Sequence, residues 1–246
     1  MRALVIIPTY NEHDNIQQIV PAVLAAHPSV EVLVVDDNSP DGTSEAVQGM
    51  MAHEPRVHLL VRAGKMGLGT AYCEGFLYAL NEGYDFVFEM DADFSHDPND
   101  IPRFLAEIEQ RDPNTGMLYD VVIGSRYISG VNVVNWPMQR LLLSWFANLY
   151  TRWITRMPIK DATGGYKCFR ANVLRRLDLA RIHSNGYAFQ IEINFKLWSS
   201  GAHIKEIPII FIDRRSGISK MSKHIIWEAA GLVWKLKFSS LCSRLL

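Results

Sequence analysis

Cysteine is scarce: Cys73, Cys168 and Cys242 are the whole complement of a 246-residue chain, odd in number and far apart. They offer neither the paired spacing of a zinc site nor a disulfide framework, so a reducing compartment is expected and folding rests on the apolar core. Long apolar runs are missing as well. The best candidate for a membrane span starts at Ile225 and is broken by Glu228, Lys235, Lys237 and Arg244, short of the roughly eighteen apolar residues a crossing helix needs. The first apolar run, residues 3–7, is too short for a secretory signal and no cleavage-like site follows it, which predicts a cytoplasmic protein. No Gly-x-Gly-x-x-Gly follows that run, which argues against a hydride-transferring dinucleotide enzyme. The eight histidines show no metal-ligand spacing.

What is present is an ordinary globular mixture, 48% hydrophobic and 21% charged, which excludes disorder, collagen and small stapled scaffolds. The net charge of −1 hides a segregation. Residues 1–134 carry 20 acidic and 7 basic side chains, a balance of −13, and residues 135–246 carry 6 acidic and 18 basic ones, a balance of +12. One part suits a cation and the other suits anions, as at a metal-dependent site beside a phosphate-bearing or membrane-surface partner. Two solvated faces of opposite sign are the plainer alternative. The cations are interleaved with large apolar residues, which argues against nucleic acid as a partner.

Short β-branched runs at 3–7, 31–35, 57–61, 86–90 and 121–123 alternate with helical patterns at 15–26, 43–51, 70–81 and 101–110, with Asn or Asp near several helix starts as expected caps. The pattern predicts an α/β fold, a mostly parallel sheet flanked by helices. Three strands open at their C-terminal ends into polar loops, where open α/β sheets bind ligands.

Asp91 and Asp93 follow the fourth strand, and alternation predicts both on one side of its mouth. Two such carboxylates repel unless a cation joins them, and a hard ion, Mg²⁺ or Mn²⁺, would leave positions open for substrate phosphates. Of the Asp36-Asp37 pair, one carboxylate is placed to accept from a nucleobase or ribose. Tyr10 is a candidate cover for a base and Glu12 a candidate acceptor. The Lys65-Met-Gly-Leu-Gly69 segment lacks Walker spacing, so Gly67 and Gly69 read as turn and close-packing glycines, and His96 reads as a capping or packing residue. Residues 138–153 place Leu142, Trp145, Phe146, Leu149 and Trp153 along one helical face. Residues 223–238 align Ile225, Ala229, Leu232 and Leu236, with Trp227 and Trp234 a heptad apart. Core packing and a seat in a membrane interface both remain open for these two helices.

Several longer segments carry a resemblance: Val5-Ile-Ile-Pro-Thr-Tyr-Asn-Glu12, Val34-Val-Asp-Asp-Asn-Ser-Pro-Asp-Gly-Thr43, Gly67-Leu-Gly-Thr-Ala-Tyr72 and Met90-Asp-Ala-Asp-Phe-Ser-His-Asp-Pro98. Gly124-Ser-Arg-Tyr127, residues 161–170 and 186–190, Ile207-Pro208 and residues 213–220 continue it over nearly the whole chain. Together they resemble glycosyltransferase family 2, and within it the dolichyl- or polyprenyl-phosphate mannosyltransferases. The resemblance implies a GT-A fold over residues 1–222, residues 223–246 forming an amphipathic helix without a transmembrane span, and GDP-mannose as donor. It further implies that Pro8, Tyr10, Glu12, Val35 and Asp37 surround the guanosine, and that Asp91, Ala92 and Asp93 lie beside diphosphate and metal. Arg126, Arg140, Arg214 and Lys220 would meet phosphate groups, Arg214 and Lys220 those of donor as well as acceptor. Where relatives sometimes carry a metal-binding Gln, this chain has Ser95, a poorer ligand. The implied reaction is an inverting, metal-dependent transfer of mannose to a polyprenyl or dolichyl phosphate, on the cytosolic face of a membrane reached through the amphipathic helices or a membrane subunit. A glucosyltransferase using UDP-glucose, a nucleotidyltransferase and a non-catalytic lipid- or nucleotide-binding subunit are the competing readings.

Overall fold

The computed structural model describes residues 1–213 and 230–238. Its main sheet has seven strands in the order β3-β2-β1-β4-β7-β5-β8: β1 (Ala3–Thr9), β2 (Val30–Asp36), β3 (Val57–Val61), β4 (Phe86–Glu89), β5 (Val121–Ser125), β7 (Lys167–Arg170) and β8 (Ile204–Pro208). All neighbours are parallel except β7, which runs antiparallel between β4 and β5. A parallel pair, β6 (Val133–Val134) and β9 (Phe211–Ile212), forms a small second sheet. The helices are α1 (His13–Ala26), α2 (Thr43–Met51), α3 (Leu68–Asn81), α4 (Ile101–Ile108), α5 (Met138–Thr155), α6 (Ala171–Leu174) and α7 (Gly186–Ser199).

The near-continuous apolar runs of β1 and β2 have a simple cause: helices cover both faces of the sheet. Ala3, Val5, Ile7, Val32 and Val34 pack with Ile16, Ile19 and Val23 of α1 and Phe104 of α4. The alternate residues Leu4, Ile6, Leu33 and Val35 pack on the other face with Tyr72 and Phe76 of α3 and Phe189 and Ile193 of α7. The Gly75 backbone lies so near β1 that a Cβ there would stand 2.7 Å from Ile6, which fixes how closely α3 approaches the sheet.

Some predicted details change. Helices α1 and α3 start at His13 and Leu68, two residues before their apolar pattern begins. Their starts carry no side-chain cap, and Gly42 and Gly67 precede α2 and α3. Asp97 does cap the short 3-10 turn at Pro98–Asp100. Strands β7 and β8 were not predicted, because charged residues interrupt their short apolar patterns. No helix among the described residues is long and apolar enough to cross a membrane. Of the proposed C-terminal helix, residues 230–238 are helical, with Val233 and Leu236 buried in the core and Tyr150 Oη donating to the Ala230 carbonyl at 3.2 Å. Residues 214–229 and 239–246, with Arg214, Lys220 and Trp227, lie outside the described residues.

At the sheet end away from the ligand loops, Glu31 accepts from Arg2 Nε at 3.0 Å, His58 Nε2 at 2.9 Å and Tyr84 Oη at 2.7 Å. Burial opposes its ionisation, but these bonds outweigh it and hold the carboxyl at about 2, against 4.5 for a free glutamate. A carboxylate with a lowered folded-state pKa stabilises the fold above its unfolded pKa, and that stability disappears as pH falls through the folded value. Melting temperature should therefore drop as pH falls from 4.5 towards 2. Glu31→Gln should be less stable at neutral pH and show a shallower fall over that window; an equally steep fall would contradict this assignment.

Candidate active site

The C-terminal ends of β1, β2 and β4 open onto one cavity of about 490 Å³. Pro8, Tyr10, Glu12, Asp37, Asp91, Ala92, Asp93, Arg126 and Arg140 all line it, joined by Lys65, Thr163, Gly165, Tyr187, Gln190 and Phe211. The sequence reading thus converges on a single place. Val35 and Ser95 are the exceptions among the described residues: the Val35 side chain is buried in the core on β2, and Ser95 lines a neighbouring cavity instead.

The loop after β1 turns at Asn11, the loop after β2 at Asn38 and the loop after β4 at Phe94, each a non-glycine residue in the left-handed region. That conformation costs about 1 kcal/mol for an ordinary side chain, and such outliers cluster where surroundings impose them at ligand sites. The two carboxylates after β2 divide their work. Asp36 is buried and accepts from Thr9 Oγ1, Ser39 N, Ser39 Oγ and Ser44 Oγ at 2.6–2.9 Å, so it ties the loop together. Asp37 faces the cavity and pairs with the buried Arg62 at 2.8 Å. Burial nevertheless raises the Asp37 carboxyl above its ordinary value. Lys65 lies 4.5 Å from the Tyr10 ring centroid, so the opposite loop already touches the candidate base cover.

Strand β4 ends at Glu89, so Asp91 and Asp93 are brought together by the following turn and not by strand alternation as predicted. His96 anchors that turn. Its Nδ1 accepts from the Asp91 backbone N–H at 3.1 Å, and its ring stacks on Tyr166 with centroids 4.8 Å apart. Burial pulls the imidazole down to about 4, so it is neutral and serves as an acceptor within the loop. Ser95 donates its backbone N–H to Asp93, while its hydroxyl is buried without a partner and lines a neighbouring cavity of about 410 Å³. The donor set of the main cavity suits a hard cation: Asp91 and Asp93 offer oxygen only, and no group of three or more His, Cys, Asp or Glu among the described residues is arranged to enclose an ion. Two carboxylates with the rest of the shell left to substrate oxygens and water fit Mg²⁺ or Mn²⁺.

The basic side is built differently. Arg126, 4% exposed, sends Nε and Nη2 to both oxygens of the buried Asp161 at 2.7 and 2.6 Å, and Nη2 also to Thr163 at 2.8 Å. Burial works against both charges, but each partner outweighs it, raising the Arg126 pKa and lowering that of Asp161. Arg140 pairs with Asp213 at 2.7 Å and lies 4.2 Å from the Trp136 ring centroid. The glycine loop behaves as read. Gly67 has a φ of +101°, and a Cβ on Gly69 would stand 2.2 Å from the Ser184 carbonyl. Asp161, Thr163 and Gln190 escaped residue-by-residue reading because no spacing marks them; only their place in long matching segments drew notice.

Solved structures share this architecture. Glucosyl-3-phosphoglycerate synthase of Mycobacterium tuberculosis, in complex with Mn²⁺, UDP-glucose and phosphoglyceric acid, superposes with a TM-score of 0.72 at 14% identity, over 96% of this chain and 80% of that one. A mannosyltransferase of Pyrobaculum calidifontis, in complex with GDP-mannose and Mn²⁺, gives a TM-score of 0.58 at 16% identity, over 98% and 74%. The fold is therefore that of the GT-A glycosyltransferases. The family model described as glycosyl transferase family 2 matches residues 4–178. An undecaprenyl-phosphate mannosyltransferase of Micrococcus luteus is 44% identical over 93% of this chain and 91% of its own length. A polyprenol monophosphomannose synthase of Mycolicibacterium smegmatis is 44% identical over 93% and 84%. The chain belongs to glycosyl transferase family 2 and is a glycosyltransferase.

The buried ion pair generates a direct test. Asp161→Asn leaves the Arg126 guanidinium buried without its counter-charge and should cost about 3–5 kcal/mol of stability in urea unfolding. A loss below about 1 kcal/mol would show that the pair does not hold this wall.

Proposed function

We propose that the protein transfers mannose from GDP-mannose to a polyprenyl or dolichyl phosphate, releasing GDP, with inversion at the anomeric carbon. The observation that carries this reading is the composition of one cavity. By strand order the loops carrying Asp37 and Tyr10 come first, that of Asp91 and Asp93 next and that of Arg126 last. Arg140 lines the same cavity from α5, and the outer face of α5 is apolar and exposed. The names of the two bacterial relatives support the acceptor class and the sugar. The bound GDP-mannose of the Pyrobaculum enzyme supports the donor only through a shared fold.

In this reading Asp37 and Glu12 accept from the guanosine, Tyr10 covers the base, and Pro8 and Ala92 shape the surrounding wall. Asp91 and Asp93 hold a divalent cation, Mg²⁺ or Mn²⁺, with Ser95 a weaker candidate ligand. Bound there, the cation neutralises the departing diphosphate. Arg126, with Nε and Nη2 engaged by Asp161 and Thr163, retains Nη1 for the acceptor phosphate, and Arg140 exchanges Asp213 for it. Arg214 and Lys220 join them from the segment beyond Asp213. An acceptor phosphate oxygen attacks the anomeric carbon in line; the new C–O bond forms as the bond to the GDP oxygen breaks, and GDP leaves with that electron pair. A phosphate monoester is anionic at neutral pH, so no strong general base is required.

The acceptor's long apolar tail calls for a surface beside the cavity. Met138, Leu142, Trp145, Phe146, Leu149 and Trp153 of α5 are all exposed, Trp153 to 77%. Ile210 and Ile212 are exposed as well. Aromatic rings of this kind favour the bilayer interface, which supports peripheral attachment to the cytosolic face of a membrane.

Label from radioactive GDP-mannose should enter organic-extractable polyprenyl phosphate, be abolished by EDTA and restored by Mg²⁺ or Mn²⁺, with a β-linked product from the α-linked donor. Label from UDP-glucose instead, or a product that keeps the donor's configuration, would overturn the reading. Trp145→Ser combined with Phe146→Ser should weaken co-sedimentation with anionic vesicles by at least about ten-fold, since each ring contributes on the order of 1–2 kcal/mol when it leaves water. Unchanged sedimentation would rule out α5 as the contact.

A further inference from the structure

Beneath the Asp91–Asp93 turn lies a buried polar cluster that the reaction as described does not use. Lys167 on β7 is opposite Glu89 on β4 in the antiparallel register, and its Nζ donates to Glu89 Oε2 at 3.2 Å. The same Nζ donates to Oε1 of Gln190 on α7. Lys167 and Glu89 are fully buried and Gln190 is 3% exposed, yet Gln190 lines the cavity. An ammonium group has three donors and no acceptor, so it can face only the oxygen end of the Gln190 amide. The NH₂ end is thereby turned from Lys167 towards the Glu89 carboxyl, to which it also donates. Its second hydrogen is left for the cavity wall beside Gly165, where a Cβ on that glycine would stand 3.5 Å from Nε2. Gly165 keeps the wall open at that point, while a Cβ on Gly164 would instead meet the Gly124 carbonyl at 3.1 Å.

The strand order says which part of a ligand this donor meets. Asp37 follows β2, Tyr10 follows β1, Asp91 and Asp93 follow β4, Lys167 begins β7, and Arg126 follows β5. The sheet runs β2-β1-β4-β7-β5, so the cavity is laid out as nucleoside, diphosphate, the β7 position, then the acceptor cation. In a nucleotide-sugar the group between the diphosphate and the acceptor is the transferred hexose. Resting on the donor and acceptor proposed above, we infer that Gln190 donates an amide hydrogen bond to a hydroxyl of the transferred hexose, and that Lys167 with Glu89 is a positioning pair fixing which end of that amide the sugar meets. Burying such a pair is costly unless each charge is satisfied, and core packing alone is served as well by apolar residues. Its registry on two adjacent strands under the ligand wall fits the positioning role.

The test compares GDP-mannose with GDP, each titrated in Mn²⁺ into the full-length protein by calorimetry. The two ligands share the nucleoside and the diphosphate and differ in the sugar and in the extra charge on the free β-phosphate of GDP, so each ligand is compared with its own wild-type affinity. Gln190→Ala should bind GDP within about two-fold of wild type and lose about ten-fold in affinity for GDP-mannose, the usual worth of one hydrogen bond to a substrate hydroxyl. The double variant Lys167→Met with Glu89→Gln, which leaves no lone charge buried, should show the same split. Its GDP affinity doubles as a check that the fold survives. If Gln190→Ala keeps the full wild-type difference between the two ligands, the amide does not touch the sugar and the inference is overturned. If wild type binds neither ligand, it is the donor assignment that fails, an outcome distinct from a wild-type difference that the Gln190 variant preserves.

Discussion

The cavity wall opposite the nucleotide loops hangs on one buried ion pair, Arg126 with Asp161. Asp161 takes the Arg126 side chain by two nitrogens and its backbone N–H as well, at 2.6–2.9 Å. The backbone N–H groups of Lys160 and Asp161 donate in turn to Glu206 on β8. Thr163 receives a third side-chain bond from Arg126 and accepts from Asn148 of α5, whose carbonyl oxygen takes the Ala162 N–H. A single charge pair thus ties β5, β8, the 160–163 loop and α5 into one piece. Removing either charge leaves the other in a medium where it cannot be solvated.

That arrangement explains why α5 is inside-out. Asn148, Thr151 and Thr155 are on its buried side, with only Ile154 as an apolar companion, while its large apolar residues face outward. A helix normally turns its apolar stripe to the core. Here Asn148 is held by hydrogen bonds to the loop that grips Arg126 and Thr155 bonds back to the Thr151 carbonyl of its own helix, while the tryptophans and leucines stay exposed. The same helix therefore contributes Arg140 to the cavity and presents the exposed apolar surface beside it.

Much of this was legible in the sequence. The apolar runs of β1, β2 and β4 and the polar loops after them reveal an open parallel sheet with its crevice, because local pattern and burial agree there. Asp37, Asp91, Asp93, Tyr10 and Glu12 stood out because they sit together in the polar loops after parallel strands and in the long segments that carry the family resemblance, and all five line the cavity. The division between Asp36 and Asp37 was not legible: adjacent identical residues differ only in which side of the loop their partners occupy. Strand β7 was missed because its first residue is a buried lysine, and a lysine in a core is recognisable only once its partner on the next strand is known. Arg126 was expected at a phosphate, and it does line the cavity, but its tie to Asp161 joins residues 35 apart with no periodic signature. The exposure of α5 was equally hidden, since an amphipathic pattern reports two faces without saying which is inside.

The acidic and basic parts of the chain meet across a cavity whose stations follow strand order, and the account stands or falls on that order. The most direct measurement is crystal diffraction from the protein soaked with Mn²⁺ and GDP-mannose, with data collected at the manganese absorption edge. The account expects an anomalous peak at the carboxylates of Asp91 and Asp93, the guanine beside Tyr10 and Asp37, and the mannose between that peak and Arg126. A manganese peak away from both carboxylates, or a nucleotide lying with its base towards Arg126, would contradict it.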